Sequence, residues 1–326
     1  MIAVVQQGNH TIFIRIWKNI IPKGEPKKTI NAVFISHLHN DHINGLESLL
    51  QKTNVRYLFL PQLTDEIILE SLLYNAYLNK GTWNITNNII LELYNSNDKT
   101  WIGDTQIIKI NSENNENGES EVIDFVDFKP NSFYNSGAVF KYHHWLYKPI
   151  NFCPNISKKI SSKYGDSFYE FFKQQVNGGQ DFDLSDIKNI FFRDHQKCID
   201  AYTTYFSGNH NPYSMALFSG TERPRAYFVN RNPYKCRCCH RFEGCEYRRC
   251  FSANFLYTGD FEPTPINVNI LKNTLDRNHR YLWHTISGIQ VPHHGSRNNF
   301  NCELYVYILV LDISLLVHVM DINILM

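Results

Sequence analysis

The sequence predicts a layered fold in which β-strands alternate with α-helices. Two patterns predict it. Short apolar runs bounded by polar turns are typical of strands, and apolar residues spaced three and four apart are typical of helices. The chain has 326 residues, of which 43% are hydrophobic, so it is long enough to bury the core of one large domain.

The individual elements follow from these patterns in chain order. After Asp41 the spacing becomes helical, because Ile43, Leu46 and Leu50 share one face. Strands are predicted at residues 11–16, 32–35, 56–60, 89–93, 105–110, within 140–152, and at 214–219, 255–257 and 289–291. Further helices are predicted at residues 64–78, within 157–175 and within 184–205.

Charge and terminal segments limit the function classes. The formal net charge of +1 shows no overall basic excess of the kind that marks many nucleic-acid-binding proteins. The N-terminus lacks the features of a secretory signal, and Asp312 and Asp321 interrupt the apolar run 305–326. We therefore expect a cytoplasmic protein with no membrane contact, whose eight cysteines bind metal or remain thiols. The run 305–326 is then interpreted as one or two buried strands or a tail helix, with a membrane anchor as the alternative.

The strongest motif is SHLHNDHINGL, at residues 36–46. On an extended stretch, residues two apart point the same way, so His37 and His39 are expected to bind one ion. Asp41 and His42 fall where the helix starts and are expected to face a second ion. These ligands suit zinc, with manganese or iron as substitutes. A polar, His-rich turn without metal is the alternative.

The segment HLHNDH resembles the signature of the metallo-β-lactamase superfamily. The resemblance implies an α+β fold, a four-layer αβ/βα sandwich with two zinc ions at one edge between the sheets. It also implies that Asp260, in Thr258-Gly259-Asp260, is a carboxylate that bridges both ions.

A second segment, VPHHGS at residues 291–296, looks like a motif of the competence-protein (ComEC-type) branch. The resemblance implies that His294 completes the second metal shell and that His293 contacts substrate, and the reverse assignment stays open. Ser296 and Arg297 are then expected to bind a phosphate oxygen. The resemblance also implies a metal ligand between these two segments, which is Asn211, since it matches the branch pattern, or the adjacent His210. If neither binds, the first ion is expected to have His37, His39, Asp260 and a water molecule as ligands.

A cysteine cluster precedes Asp260. Its spacing can hold one structural zinc ion, which takes four thiolate or imidazole ligands. We prefer a loop that one structural zinc ion holds together. The alternatives are a basic zinc knuckle that contacts phosphates and a set of thiols that bind no metal. The candidate ligands are Cys236, Cys238, Cys239, His240, Cys245 and Cys250.

The domain organisation follows from the extent of the resemblance, which spans about residues 30–299. We expect one domain over residues 1–326, with a helical cap inserted at about 140–206 and a Cys-rich insertion at about 221–253. Both ends depart from the family pattern, and we expect both termini to be incomplete.

The function expected from these motifs is dinuclear-metal-dependent hydrolysis of a phosphodiester or other phosphoester, by a metal-bound hydroxide. Asp41 and His293 are the expected catalytic residues, and nucleic acid is one candidate substrate. The first alternative is hydrolysis of a carbonyl substrate such as a lactone, thioester or β-lactam. The second is a non-catalytic metal-binding module, and the third is a regulatory or defence component that acts beside a protein partner.

Overall fold

The computed structural model describes residues 2–4, 28–94, 102–112, 122–129, 132–152, 167–206, 214–221, 254–277, 282–286 and 288–290, with Pro292 and Leu304. These residues form a mixed α and β fold with a five-stranded and a six-stranded sheet, which confirms the general α+β class. The chain divides into two units. Met1–Ser112, Pro130–Tyr134 and Phe152–Tyr213 form the first, and Glu113–Lys129, Asn135–Asn151 and Ser214–Met326 form the second.

The five-stranded sheet of the first unit has the strand order β1-β2-β3-β4-β6. Neighbouring strands from β1 to β4 are parallel, with Ala32 of β2 opposite Tyr57 of β3. β2 is buried at its centre, as expected for a strand in a parallel sheet. The strands are β1 (Ile2–Val4), β2 (Lys28–Phe34), β3 (Thr53–Pro61), β4 (Gln106–Asn111) and β6 (Phe133–Asn135).

The described helices of the first unit pack around one central helix, α3. Every residue of this helix from Ile67 to Leu73 is buried, and the helix packs against α4, α5 and α6. Apolar residues from all four helices belong to one buried core. The helices are α1 (Asn40–Ile43), α2 (Leu46–Lys52), α3 (Asp65–Leu78), α4 (Ile85–Tyr94), α5 (Phe168–Val176) and α6 (Ile187–Phe206).

One predicted element is wrong. Residues 89–93 were expected to form a strand, but they lie in α4. Asn84 and Asn87 start this helix with reciprocal bonds: the N–H of Asn87 donates to Oδ1 of Asn84 at 3.1 Å, and the N–H of Asn84 donates to Oδ1 of Asn87 at 3.3 Å. The buried residues Thr86, Ile90 and Leu93 have helical spacing, which a short apolar window does not reveal.

The six-stranded sheet of the second unit has the order β11-β10-β9-β8-β7-β5. Its central pairs, from β7 to β10, are antiparallel, and each edge strand is parallel to its neighbour. The helix α7 (Pro265–Asp276) packs against β8. The strands are β5 (Val122–Asp124), β7 (Val139–Tyr142), β8 (Trp145–Asn151), β9 (Met215–Thr221), β10 (Phe255–Tyr257) and β11 (Gly288–Ile289).

The other predicted elements that fall on described residues are confirmed as strands or helices, and their ends differ from the prediction by a few residues. The predicted strand at 11–16 and the apolar run 305–326 lie outside the described residues. The single domain with two insertions stays a prediction. In the described part of the chain, no helix has both the length and the apolar character needed to cross a membrane.

Candidate metal centre

The candidate site begins where β2 ends. β2 lies between two parallel neighbours, so its carboxyl end opens onto the sheet edge where parallel sheets typically bind ligands. Ile35 still donates its backbone N–H to the Phe59 carbonyl at 2.9 Å, and the chain then leaves the sheet. Residues 36–39 form a loop and α1 starts at Asn40. The predicted strand, loop and helix around the histidine motif are confirmed.

The short helix α1 turns the chain back onto this loop. The carbonyl of His39 accepts the backbone N–H of His42 at 2.9 Å and that of Ile43 at 3.2 Å. Ile43 and Leu46 are fully buried and anchor the turn in the core. His42 is therefore returned to the side of the loop that carries the other two histidines.

Three imidazole rings converge at this point. His37, His39 and His42 are 2%, 6% and 1% exposed, although histidine is commonly only half-buried. The ring centre of His37 lies 4.5 Å from that of His39 and 3.9 Å from that of His42. Buried imidazoles brought this close give an ion several nitrogen ligands at once.

Asp41 adds a carboxylate to the group. One ligand atom each from His37, His39 and Asp41 lie within 4.8 Å of one another. Oδ2 of Asp41 also lies 3.5 Å from Nε2 of His42, and the Asp41 side chain is 30% exposed. Imidazole nitrogen and carboxylate oxygen are common zinc ligands, so these residues fit the predicted metal. Since Asp41 groups with His37 and His39, the expected division of ligands between two ions stays a prediction.

Ser36 is a site residue that the sequence did not single out. Its hydroxyl lies 3.1 Å from Nδ1 of His37 and 3.1 Å from Nδ1 of His42. A hydroxyl has one hydrogen atom, so it donates to at most one ring and accepts an N–H from the other. A neutral ring that donates from Nδ1 keeps its lone pair on Nε2, where a metal ion binds. Ser36 therefore favours this tautomer in at least one of the candidate ligands.

We expect Ser36→Ala to weaken zinc binding about tenfold or more, because partners that orient a ligand histidine contribute on this scale. The measurement is the zinc Kd by competition with a chromogenic chelator. Ser48→Ala, on the half-buried surface of α2, is the control and should bind zinc as the wild type does. An unchanged Kd in Ser36→Ala would show that this hydroxyl does not support the site.

Two tyrosines, one from α3 and one from α6, lie on one side of His39. The ring centre of Tyr74 lies 4.4 Å from that of His39, and Tyr202 of α6 lies behind it at 6.3 Å from Tyr74. Burial raises the pKa of the Tyr202 phenol well above its ordinary value, and the Glu70 carboxylate raises it further. Tyr202 therefore stays neutral at physiological pH and offers no phenolate that would compete with the imidazoles for a cation.

Asp260 lies in the second unit, in the turn after β10. Gly259, with φ of 54°, supplies the left-handed backbone that this turn requires. The backbone N–H of Asp260 donates to Oγ of Ser214 at 3.1 Å, and the hydroxyl of Thr258 donates to the Gln290 carbonyl at 2.8 Å. Asp260 is only 3% exposed, and its role as a ligand stays a prediction.

The other predicted site residues lie outside the described residues, so their roles stay predictions. Among the described residues, Cys198 is a free thiol, buried in the first unit, and burial raises its pKa to about 12. The predicted residues outside the description are His210, Asn211, His293, His294, Ser296, Arg297, Cys236, Cys238, Cys239, His240, Cys245 and Cys250.

Comparison with known proteins gives one relationship. A family model described as Anti-Pycsar protein Apyc1 matches residues 14–143. The match covers less than half of the chain. It includes β2, α3 and the loop at residues 36–39, here called the histidine loop. The comparisons with curated proteins and with solved structures found no match.

This match corrects the family assignment made from the sequence. The chain resembles the Apyc1 family over the matched residues. Its assignment to the metallo-β-lactamase superfamily and to the ComEC-type branch was therefore wrong. The expectation of a nuclease, which depended on that assignment, was wrong as well. The reason is physical: HLHNDH is a short ligand motif, and its spacing is set by metal coordination rather than by one family. The VPHHGS segment, which carried the branch assignment, lies outside the matched residues.

Proposed function

We propose that this protein is a metal-dependent hydrolase that acts on a phosphodiester or other phosphoester and binds two zinc ions, or manganese or iron in their place. The observation that carries the proposal is the group formed by the buried rings of His37 and His39 and the partly exposed carboxylate of Asp41, whose ligand atoms lie within 4.8 Å of one another. Buried imidazoles that converge beside a carboxylate are typical of zinc sites.

The described residues have distinct roles in this proposal. Bound cations lower the pKa of a water molecule, which supplies a nucleophile near neutral pH. His37, His39 and His42 are neutral nitrogen ligands, and the loop between β2 and α1 holds them in place. Asp41 is the partly exposed member of the group, so its carboxylate accepts a hydrogen bond from the attacking water and orients it.

Two arguments support the choice of a phosphoester. Pairs of cations stabilise both the attacking and the leaving oxygen of an in-line displacement at phosphorus. In addition, Arg297 next to the His293-His294 pair is suited to forked contacts with phosphate oxygens. A carbonyl substrate is the alternative, since the same ions also serve carbonyl chemistry.

The matched family suggests a biological setting. Its name describes a protein directed against Pycsar, and the match includes the histidine loop. We propose that this chain has the same kind of target, which fits the regulatory or defence role considered from the sequence. The four-layer αβ/βα arrangement and a third, structural zinc ion at the cysteine cluster stay predictions.

The test couples metal analysis to substrate panels. Protein purified without chelator should contain about two transition-metal ions at this site and should hydrolyse bis(p-nitrophenyl) phosphate faster than p-nitrophenyl acetate. Treatment with a chelator should abolish turnover, and added zinc or manganese should restore it. Protein that holds no transition metal would contradict the proposal. Bound metal without turnover of either substrate would favour a non-catalytic module instead.

A further inference from the structure

Asn75 connects the central helix of the first unit to the histidine loop. It lies on α3 and is 1% exposed. Its Nδ2 donates to the Leu38 carbonyl at 2.9 Å, and its Oδ1 accepts the backbone N–H of Asn40 at 2.8 Å. These two backbone groups lie immediately before and immediately after His39. One side chain therefore holds the chain on both sides of a candidate ligand.

The pair of bonds requires an amide. The side chain must donate one hydrogen bond and accept another from adjacent atoms, which aspartate and leucine of similar size cannot do. Losing either bond would leave a backbone group without this partner, at a buried position for the Leu38 carbonyl and at a partly buried one for the Asn40 N–H, and an unpaired polar group away from water is destabilising. The loop is also tied to α4, because the Thr86 hydroxyl donates to Oδ1 of Asn40. The residue that follows His39 is thus held by two helices, through its backbone N–H by α3 and through its side chain by α4.

Holding the backbone on both sides of His39 also restricts the position of its imidazole ring. The imidazole of His39 projects from the residue between the two bonded groups, and its ring packs against Tyr74, the neighbour of Asn75 on α3. Consecutive residues of one helix therefore restrain both the backbone and the ring of the same histidine. A ligand held in its binding geometry before the ion arrives loses less conformational freedom on binding, which raises affinity.

We propose that Asn75 is a positioning residue that sets the metal affinity of the site by holding His39 in its ligating geometry. The proposal rests on the proposed function, since it assumes that the histidine loop binds a cation. It goes further in assigning part of the affinity to a helix residue 36 positions after His39 in the sequence.

The test compares two buried asparagines of the first unit. Asn87 of α4 is 0% exposed, and its Nδ2 donates to the Leu72 carbonyl at 2.6 Å, on α3 rather than on the loop. Asn75→Leu and Asn87→Leu each remove a buried amide that bonds a backbone carbonyl. Both should lower the Tm of the metal-free protein. Only Asn75→Leu should also raise the zinc Kd, by about tenfold or more, measured by chelator competition on the full chain.

A milder variant keeps the test decisive if Asn75→Leu does not fold. Asn75→Ser leaves room for a water molecule that bridges to part of the lost contacts, so its zinc Kd should lie between those of the wild type and Asn75→Leu. Zinc affinity at the wild-type level in Asn75→Ser and Asn75→Leu would overturn the positioning role, and so would an equal loss in Asn87→Leu. If the wild type itself binds no zinc, the proposed function has failed, and this inference fails with it.

Discussion

We expect Asp41→Asn to keep the fold and at least one metal ion but to lose about a hundredfold or more in turnover. Asparagine has nearly the same shape as aspartate, so α1 and the buried histidines should be undisturbed. The substitution removes the anionic oxygen that groups with His37 and His39, and with it most of the basicity that orients the attacking water. An interaction made mainly in the transition state affects kcat more than KM.

The measurement is steady-state kinetics on one chromogenic phosphodiester, with metal stoichiometry determined on the same preparations. Asp104→Asn is the matched control, since Asp104 is exposed in the turn before β4, at the amino end of a parallel strand. The histidine loop follows the carboxyl end of β2, at the opposite edge of the sheet. Asp104→Asn should keep wild-type turnover. Near wild-type turnover in Asp41→Asn would show that this carboxylate does not act on the nucleophile.

Local sequence patterns predicted the first unit well around the site. The apolar run of β2, the polar loop and the helical spacing after Asp41 all involve neighbours in the chain, and each is present. The same patterns misjudged α4, because Ile89, Ile90 and Leu93 form an apolar run too short to separate a strand from a helix. What distinguishes the helix is the reciprocal pair formed by Asn84 and Asn87 at its start.

The candidate ligands could be predicted from the sequence, whereas Asn75, which contacts the loop that carries them, could not. His37, His39, Asp41 and His42 stand together in the sequence, and their spacing suits the coordination of a cation. Asn75 reaches the loop only through tertiary packing of α3, across more than thirty residues of chain. The available signal was weak: Asn75 is a polar residue within a mostly apolar helix, where a buried polar group must have partners, but Glu70 and Ser71 of α3 give the same signal.

The family assignment shows the limit of a short motif. HLHNDH reports which atoms can surround a cation, and that information is compatible with more than one family. The match to the Apyc1 family instead draws on residues 14–143, which include the strands and helices around the loop. The metal-binding prediction therefore stands independently of the family to which the motif was first assigned.

Zinc binding should also appear as a gain in stability that depends on His37. A ligand at a free concentration a thousandfold above its Kd stabilises the native state by about 4 kcal/mol. When all 326 residues unfold as one cooperative unit, the unfolding entropy is about 2.1 cal/mol/K per residue. A stabilisation of about 4 kcal/mol then corresponds to a rise in Tm of roughly 6 °C. His37 is the central ring of the group, 4.5 Å from His39 and 3.9 Å from His42, so His37→Ala should remove most of this rise.

The control for this substitution is His195→Ala, because His195 lies exposed on α6 in the same unit. Thermal unfolding is followed for the wild type and both variants, first with chelator and then across a zinc titration. His195→Ala should show the full zinc-dependent rise, whereas His37→Ala should show little of it relative to its own Tm in chelator, which the loss of a buried ring lowers below that of the wild type. A full rise in His37→Ala would mean that the stabilising ion binds elsewhere in the chain. The absence of a rise in the wild type would instead mean that the three buried imidazoles are packed together without serving as a zinc site.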